Sequence, residues 1–264
     1  FTYLLIPTFY NYDKIQIEKI LCKGDNIKCS IKGKVKYSFY PSPRIKIYNF
    51  VVKEKNSKNK VLGQFEKIES KISSFSLLNK NKFKFNKINL INAKINFDIN
   101  RFNDYKDFVK TNFALQNIIL KNGEIKFINK NEHFASIKDV NLKHKPNSKN
   151  DVTVLKGSFL GDQIYIKLKN KKLEKKPSLI FEAKLLNLNI FSKGELFNLK
   201  SKTDSVNGNI SLKNNKNSLS MIFDYKDDKI IIKHSNIKNS FLDGKLEGDI
   251  KLLPFFDLDL NIVL

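Results

Sequence analysis

The side chains of this chain that are able to do acid–base, nucleophilic or metal chemistry are few and scattered. Three carboxylate pairs stand close in sequence: Asp104 and Asp107, Asp227 and Asp228, Asp257 and Asp259. Cleaving a glycosidic or phosphoester bond needs acids that converge on that bond, and nothing in these spacings brings them together. Asp227-Asp228 reads as a turn. Asp257 and Asp259 alternate with leucines, so they share the polar side of a strand and face solvent or lysines. His133, His144 and His234 are far apart, and together with Cys22 and Cys29 they give no metal-ligand spacing. There is no Gly-x-Ser-x-Gly nucleophile and no Gly-rich phosphate loop. The expectation is a protein that is not an enzyme and holds no metal or cofactor. For Cys22 and Cys29, seven apart around Lys23-Gly24-Asp25-Asn26, two readings stand: a disulfide formed in an oxidising compartment, or two thiols.

What the chain does repeat is apolar surface. Phe85-Asn-Lys-Ile-Asn-Leu-Ile-Asn-Ala-Lys-Ile-Asn-Phe97 is rewritten thirty residues later as Leu115-Gln-Asn-Ile-Ile-Leu-Lys-Asn-Gly-Glu-Ile-Lys-Phe127, with a looser echo at Ile230–Asn239. Each copy reads as short alternating strands meeting at an Asn-centred turn, greasy on one face and Lys/Asn-rich on the other. The chemistry such a face offers is solvation of hydrocarbon. Each buried acyl methylene is worth about 0.8 kcal/mol, so a continuous dry strip holds a lipid chain without a specific polar contact. The candidate lipid-contacting residues are Phe83, Phe85, Ile95, Phe97, Ile125, Phe127, Ile164 and Ile166. The same side chains would be ordinary core if a second layer covered them.

The elements that must position these residues are mostly strands. Period-two patterning runs through 27–39, 44–52, 61–73 and 83–97, then from 113 onwards with one irregular stretch at 188–199. Asn122-Gly123, Pro146-Asn147, Gly161-Asp162, Asp227-Asp228 and Asp243-Gly244 mark turns, and Pro41-Ser-Pro43 a rigid corner. Two helices are expected, Tyr12–Leu21 with Asp13 as cap, and Arg101–Thr111. Helices too few for βαβ units leave one fold class: mainly β, a long meandering antiparallel sheet plus two short helices. The formal charge of +23 comes with lysines spread one residue in two along strand faces, as at Lys32, Lys34 and Lys36. That distribution argues against a specific nucleic-acid groove and fits attraction to anionic headgroups better.

The run Ile31-Lys-Gly33, then Phe39-Tyr-Pro-Ser-Pro-Arg-Ile-Lys-Ile-Tyr-Asn-Phe-Val51, resembles the start of the AsmA-like family, as does the helix at Tyr12–Leu21 following Phe-Thr-Tyr-Leu-Leu-Ile-Pro7. Leu120–Phe127 followed by Phe134–Leu142 looks like that family's recurrent unit. The resemblance implies a curved sheet with a hydrophobic groove and phospholipid as partner. It also implies a periplasmic location, with an inner-membrane anchor through an upstream helix, and envelope-assembly proteins as further partners. On that reading residues 1–11 are the remnant of the anchor and its exit, and 12–264 a β-groove domain cut at both ends. The competing classes are a structural scaffold in outer-membrane biogenesis, its apolar face sealed by its own helices, and a basic nucleic-acid binder.

Overall fold

A computed structural model describes residues 4–22, 27–55, 60–72, 85–98, 116–129, 132–172, 177–198, 205–227, 229–251 and 257–264. A 3-10 turn at Ile6–Phe9 and one helix, α1 (Lys14–Leu21), precede sixteen strands. These are β1 (Ile27–Ile31), β2 (Val35–Ser38), β3 (Arg44–Glu54), β4 (Val61–Ile72), β5 (Phe85–Asp98), β6 (Asn117–Asn129), β7 (Glu132–Lys145) and β8 (Asn150–Phe159). There follow β9 (Asp162–Lys171), β10 (Ser178–Leu185), β11 (Ile190–Phe197), β12 (Val206–Asn214), β13 (Asn217–Lys226), β14 (Lys229–Lys238), β15 (Asp243–Lys251) and β16 (Asp257–Val263). They form one open sheet whose order is the order of the chain, with β2 set beside β3. The protein is mainly β, as the patterning implies. The expected second helix at 101–111 lies outside the described residues. The chain divides into two compact units, Phe1–Pro146 with Lys156–Leu160, and Asn147–Leu155 with Gly161–Leu264.

The first unit has a closed core. Asp13 caps α1 by accepting a hydrogen bond from the Ile15 N–H at 2.9 Å, and Ile17 and Leu21, one turn apart, are buried. They pack with Cys29, Ile31, Ile45, Ile47, Phe50 and Ile68 in one cluster. Burial of each such side chain contributes about 2 kcal/mol. The helix also serves the sheet edge: Glu18 accepts from the Ile31 N–H at 2.6 Å, giving an otherwise unpaired edge donor a partner. Cys22 and Cys29 form a disulfide, Cα–Cα 6.1 Å, which ties the end of α1 to β1. The Tyr12 hydroxyl donates to the Pro7 carbonyl and that of Tyr37 to the Leu4 carbonyl, anchoring the N-terminal turn. Pro41 and Pro43 sit in the corner between β2 and β3, with a cis Tyr40–Pro41 bond, and the Pro43 carbonyl accepts from the Ile72 N–H at 3.0 Å.

Two expectations are corrected here. The segment 27–39 is two strands, because the chain breaks step at Gly33, where a Cβ would stand 2.5 Å from the Tyr48 carbonyl oxygen. The Asn-centred phrases are not hairpins either. Asn49, Asn92, Asn122 and Asp139 each take φ between 51° and 52° in the middle of a continuing strand. At each one the inward set changes parity: Ile45 and Ile47 give way to Phe50 and Val52, Ile88 and Leu90 to Ala93 and Ile95, Leu120 to Gly123 and Ile125, Ile137 to Val140. These are bulge-like breaks in the alternation, matched by the neighbouring strand so that the register on either side of Asn49 and Asn92 is unchanged, and aligned in a row across the unit. Asn tolerates the left-handed conformation in bulges and tight turns alike, so its local signal is the same for both.

The two phrase copies then lie side by side. β5 and β6 pair in parallel, the single departure from antiparallel pairing among the described registers, with an offset of thirty throughout (Ile88 beside Ile118, Ile95 beside Ile125, Phe97 beside Phe127). Asn122 Nδ2 donates to Asn92 Oδ1 at 2.8 Å, and Asn92 Nδ2 to Glu66 Oε2 at 2.6 Å, so the bulge row carries an exposed side-chain ladder.

The second unit is built from regular hairpins. Asn189 and Asn215 hold positive φ in its turns. Asp162 accepts from the Asn187 and Leu188 N–H groups at 2.9 and 3.1 Å, clamping the β10–β11 turn. The stretch expected to be irregular, 188–199, contains β11. Its alternation is hidden because Ser192 and Gly194 occupy the apolar side while Phe191 points the other way and is exposed. Gly194 leaves room that a Cβ would fill, 2.2 Å from the Asn209 carbonyl oxygen and 2.6 Å from the Phe181 ring.

Candidate functional site

Successive residues of a strand point to opposite faces, so register decides which side chains share a surface. In the second unit the register assembles one apolar face from eight strands. Ile164, Ile166 and Leu168 of β9 stand beside Leu185, Ala183 and Phe181 of β10. Phe181 faces Gly194 of β11, which faces Ile210 of β12, which faces Met221 of β13. Phe223 continues to Ile232 of β14, Gly248 of β15 and Leu260 of β16. Ile250 with Leu258, and Leu246 with Ile262, widen the strip at its far end. No Lys, Arg, Asp or Glu interrupts these rows.

The opposite face is mainly polar, although Phe191, Ile222 and Ile231 are exposed on it. Lys167 lies against Glu182, Lys233 against Asp224 and Lys229 against Asp249, at 3.9, 3.4 and 3.4 Å. Among the described residues no helix or second sheet of this unit covers the apolar face. Phe223 and Ile232, each 9% exposed, are its most buried apolar side chains, whereas Leu258 and Ile262 are more than half exposed. The strip is an open apolar surface, its residues shielded mainly by cross-strand neighbours.

The expected contact residues divide between the units. Ile95, Phe97, Ile125 and Phe127 come together as a four-residue patch on β5 and β6, each half-buried. The rings of Phe97 and Phe127 meet edge to face at 5.8 Å, and Phe134, exposed, stands 5.9 Å from Phe127. Phe85 is the first residue of β5, its backbone opposite Ile72, and Phe83 lies outside the described residues. Ile164 and Ile166 belong to the strip of the second unit. The strip's later members, from Phe181 to Leu260, were not singled out from the sequence. Their signal was present as alternation strand by strand, but only register shows that the rows join.

Among the described residues the carboxylate pairs make no convergent site. Asp259 lies directly across from Asp249 on the polar face, Asp257 across from Lys251, and Asp227 occupies a turn. Asp104, Asp107 and Asp228 lie outside the described residues. Among those described, no three of His, Cys, Asp and Glu stand close enough to hold a metal ion. No family model matches this sequence, and no characterised protein or solved structure shows significant similarity to it.

Proposed function

We propose that this protein is an envelope-biogenesis component that binds or conducts phospholipid acyl chains along the apolar face of its sheet, in the periplasm between two membranes. The observation that carries this reading is the apolar strip of β9–β16, broken by no charged side chain and with no covering layer among the described residues. A strip of this kind solvates hydrocarbon anywhere along its length at about 0.8 kcal/mol per methylene, so a chain can slide without breaking a specific contact. The polar face stays in water and holds the charge. The Cys22–Cys29 disulfide supports an oxidising compartment.

A second reading is favoured by the first unit alone. There α1 lies on the sheet and buries its apolar face, as a scaffold with a sealed core would. The two readings separate by photo-crosslinking in cells, with the probe placed at Ile166, Met221 and Phe127 on the apolar side and at Lys167 and Ser220 on the polar side. Acyl conduction gives lipid adducts from the apolar positions and none from the polar ones. Adducts from neither set, with no lipid co-purifying, leave the scaffold reading.

A further inference from the structure

We propose that the first unit carries, on its polar face, a binding site for a phosphate-class anion at the ends of β3, β4 and β5. The site does not rest on the acyl-chain reading, because strand alternation puts it on the side away from the buried Ile45, Ile47 and Ile88. A cleft of about 240 Å³ opens there, lined by Ser42, Arg44, Glu69, Lys71, Lys87 and Asn89. Register explains its charge. Arg44 lies directly across from Lys71, and Lys71 directly across from Lys87, so three cations occupy one row of adjacent strands.

Like charges so placed repel; the same placement recurs at Lys28 across from Lys53 and at Lys229 across from Lys251, but the Arg44 row is the one that borders this cleft. In the cleft Glu69 is the one acid, and it is already engaged by Arg44 at 3.4 Å and Lys67 at 3.1 Å. Strands lie about 4.8 Å apart, so ammonium groups from neighbouring strands reach the oxygens of one tetrahedral anion. Arg44 is held in place by its Nε–H donating to the Ser42 carbonyl oxygen at 3.1 Å. Asn89 also lines the cleft, and its side-chain amide carries two N–H donors. A second cleft shares Lys87 and adds Lys143 and Lys145, extending the positive row. A row of cations and donors whose one acid, Glu69, is already paired is the chemistry that recognises phosphate, whether as a free ion or as a lipid headgroup.

The test uses the whole chain with two probes: inorganic phosphate against chloride at equal ionic strength, and phosphatidylcholine vesicles with and without phosphatidylglycerol. Lys71→Gln with Lys87→Gln is compared with a control of equal charge change, Lys213→Gln with Lys245→Gln, both exposed in the second unit. The expected result is a saturable rise in Tm with phosphate, weakened at least about tenfold in the cleft variant and unchanged in the control. Vesicle flotation that requires phosphatidylglycerol and the same two lysines assigns the anion to a headgroup; phosphate binding alone assigns it to a free ion. Equal losses in both double variants, or no saturable response to either probe, would overturn the site.

Discussion

The two units share strand chemistry and differ in what lies over the apolar face. In the first, α1 and the N-terminal turn close on the sheet, and Ile45, Ile47, Ile72 and Ile88 are almost completely buried. In the second, an equally apolar face meets no covering element among the described residues, and its most buried side chains still keep 9% of their surface. The first unit also interrupts its strands with aligned bulges, whereas most strands of the second run in register to their turns. The comparison separates two sources of stability. One unit rests on a packed core, the other on ladders and cross-strand rows that leave hydrophobic area unspent.

The sharpest way to break that contrast is a buried charge. Ile47→Asp puts a carboxylate where no water reaches, and the first unit is expected to lose more than about 4 kcal/mol and unfold. Ile166→Asp in the half-buried strip is expected to cost about 1–2 kcal/mol, because the carboxylate can reach solvent beside the sheet. Chemical denaturation with amide exchange resolved by unit measures both. Equal losses would mean that the strip is covered after all.

The disulfide comes next. Replacing Cys22 and Cys29 together by serine is expected to cost the first unit roughly 2–4 kcal/mol and to leave exchange in β9–β16 unchanged. A loss spread evenly over both units would show that they unfold as one and that the contrast in packing has no thermodynamic counterpart. The bulge row is worth less. Asn122→Gly keeps the left-handed conformation and removes only the side-chain bond to Asn92, an expected loss of about 0.5–1 kcal/mol. Asn122→Val forces a β-branched residue to positive φ, and about 2 kcal/mol or more is expected. If the two variants are equally stable, the bulge is not what sets the register of β5 and β6.

Sequence patterning reached the strands, the capped helix and the proline corner because each is written in local chemistry: alternation, Asp13, and the missing donors of Pro41 and Pro43. It read Asn92 and Asn122 as turns because a left-handed Asn looks the same whether the chain reverses or continues. Only the neighbouring strand decides, and here the neighbour is another copy of the phrase, paired in parallel. The thirty-residue offset was visible, but its meaning as register was not. The candidate surface was legible in part for the same reason. Ile95, Phe97, Ile125 and Phe127 do meet, whereas the rows from Phe181 to Leu260 emerge only when pairing joins β10 to β16 across Gly194 and Gly248. At Gly248 φ is 121° and an added Cβ would stand 2.0 Å from the Asp259 carbonyl oxygen, so the strip narrows to backbone where a side chain would not fit.

The smallest expected effect distinguishes how each unit holds a carboxylate. Glu69 in the first unit is pushed upward by burial, but the Lys67 hydrogen bond and charge, with Arg44 and Lys46, bring it below the usual range. Asp162 in the second unit is likewise pushed upward by burial and brought below it by backbone N–H groups of Asn187, Leu188 and Gln163. Both folded values are depressed, so both contributions are present above the unfolded carboxylate value, about 4, and are lost as pH falls through the folded one. They should respond differently to salt. Side-chain cations are screened by added ions, while N–H groups fixed by a turn are much less so. Amide exchange at Asn187 and Leu188 is expected to speed up only as pH drops below about 4, at the same pH with or without added salt, and to lose that pH dependence in Asp162→Asn. The Leu186 N–H, which donates to the Gln163 carbonyl oxygen at 3.0 Å, serves as internal reference. A midpoint at Asp162 that moves with salt as far as that of Glu69 would show that lysines, and not the turn's own backbone, hold the second unit's carboxylate.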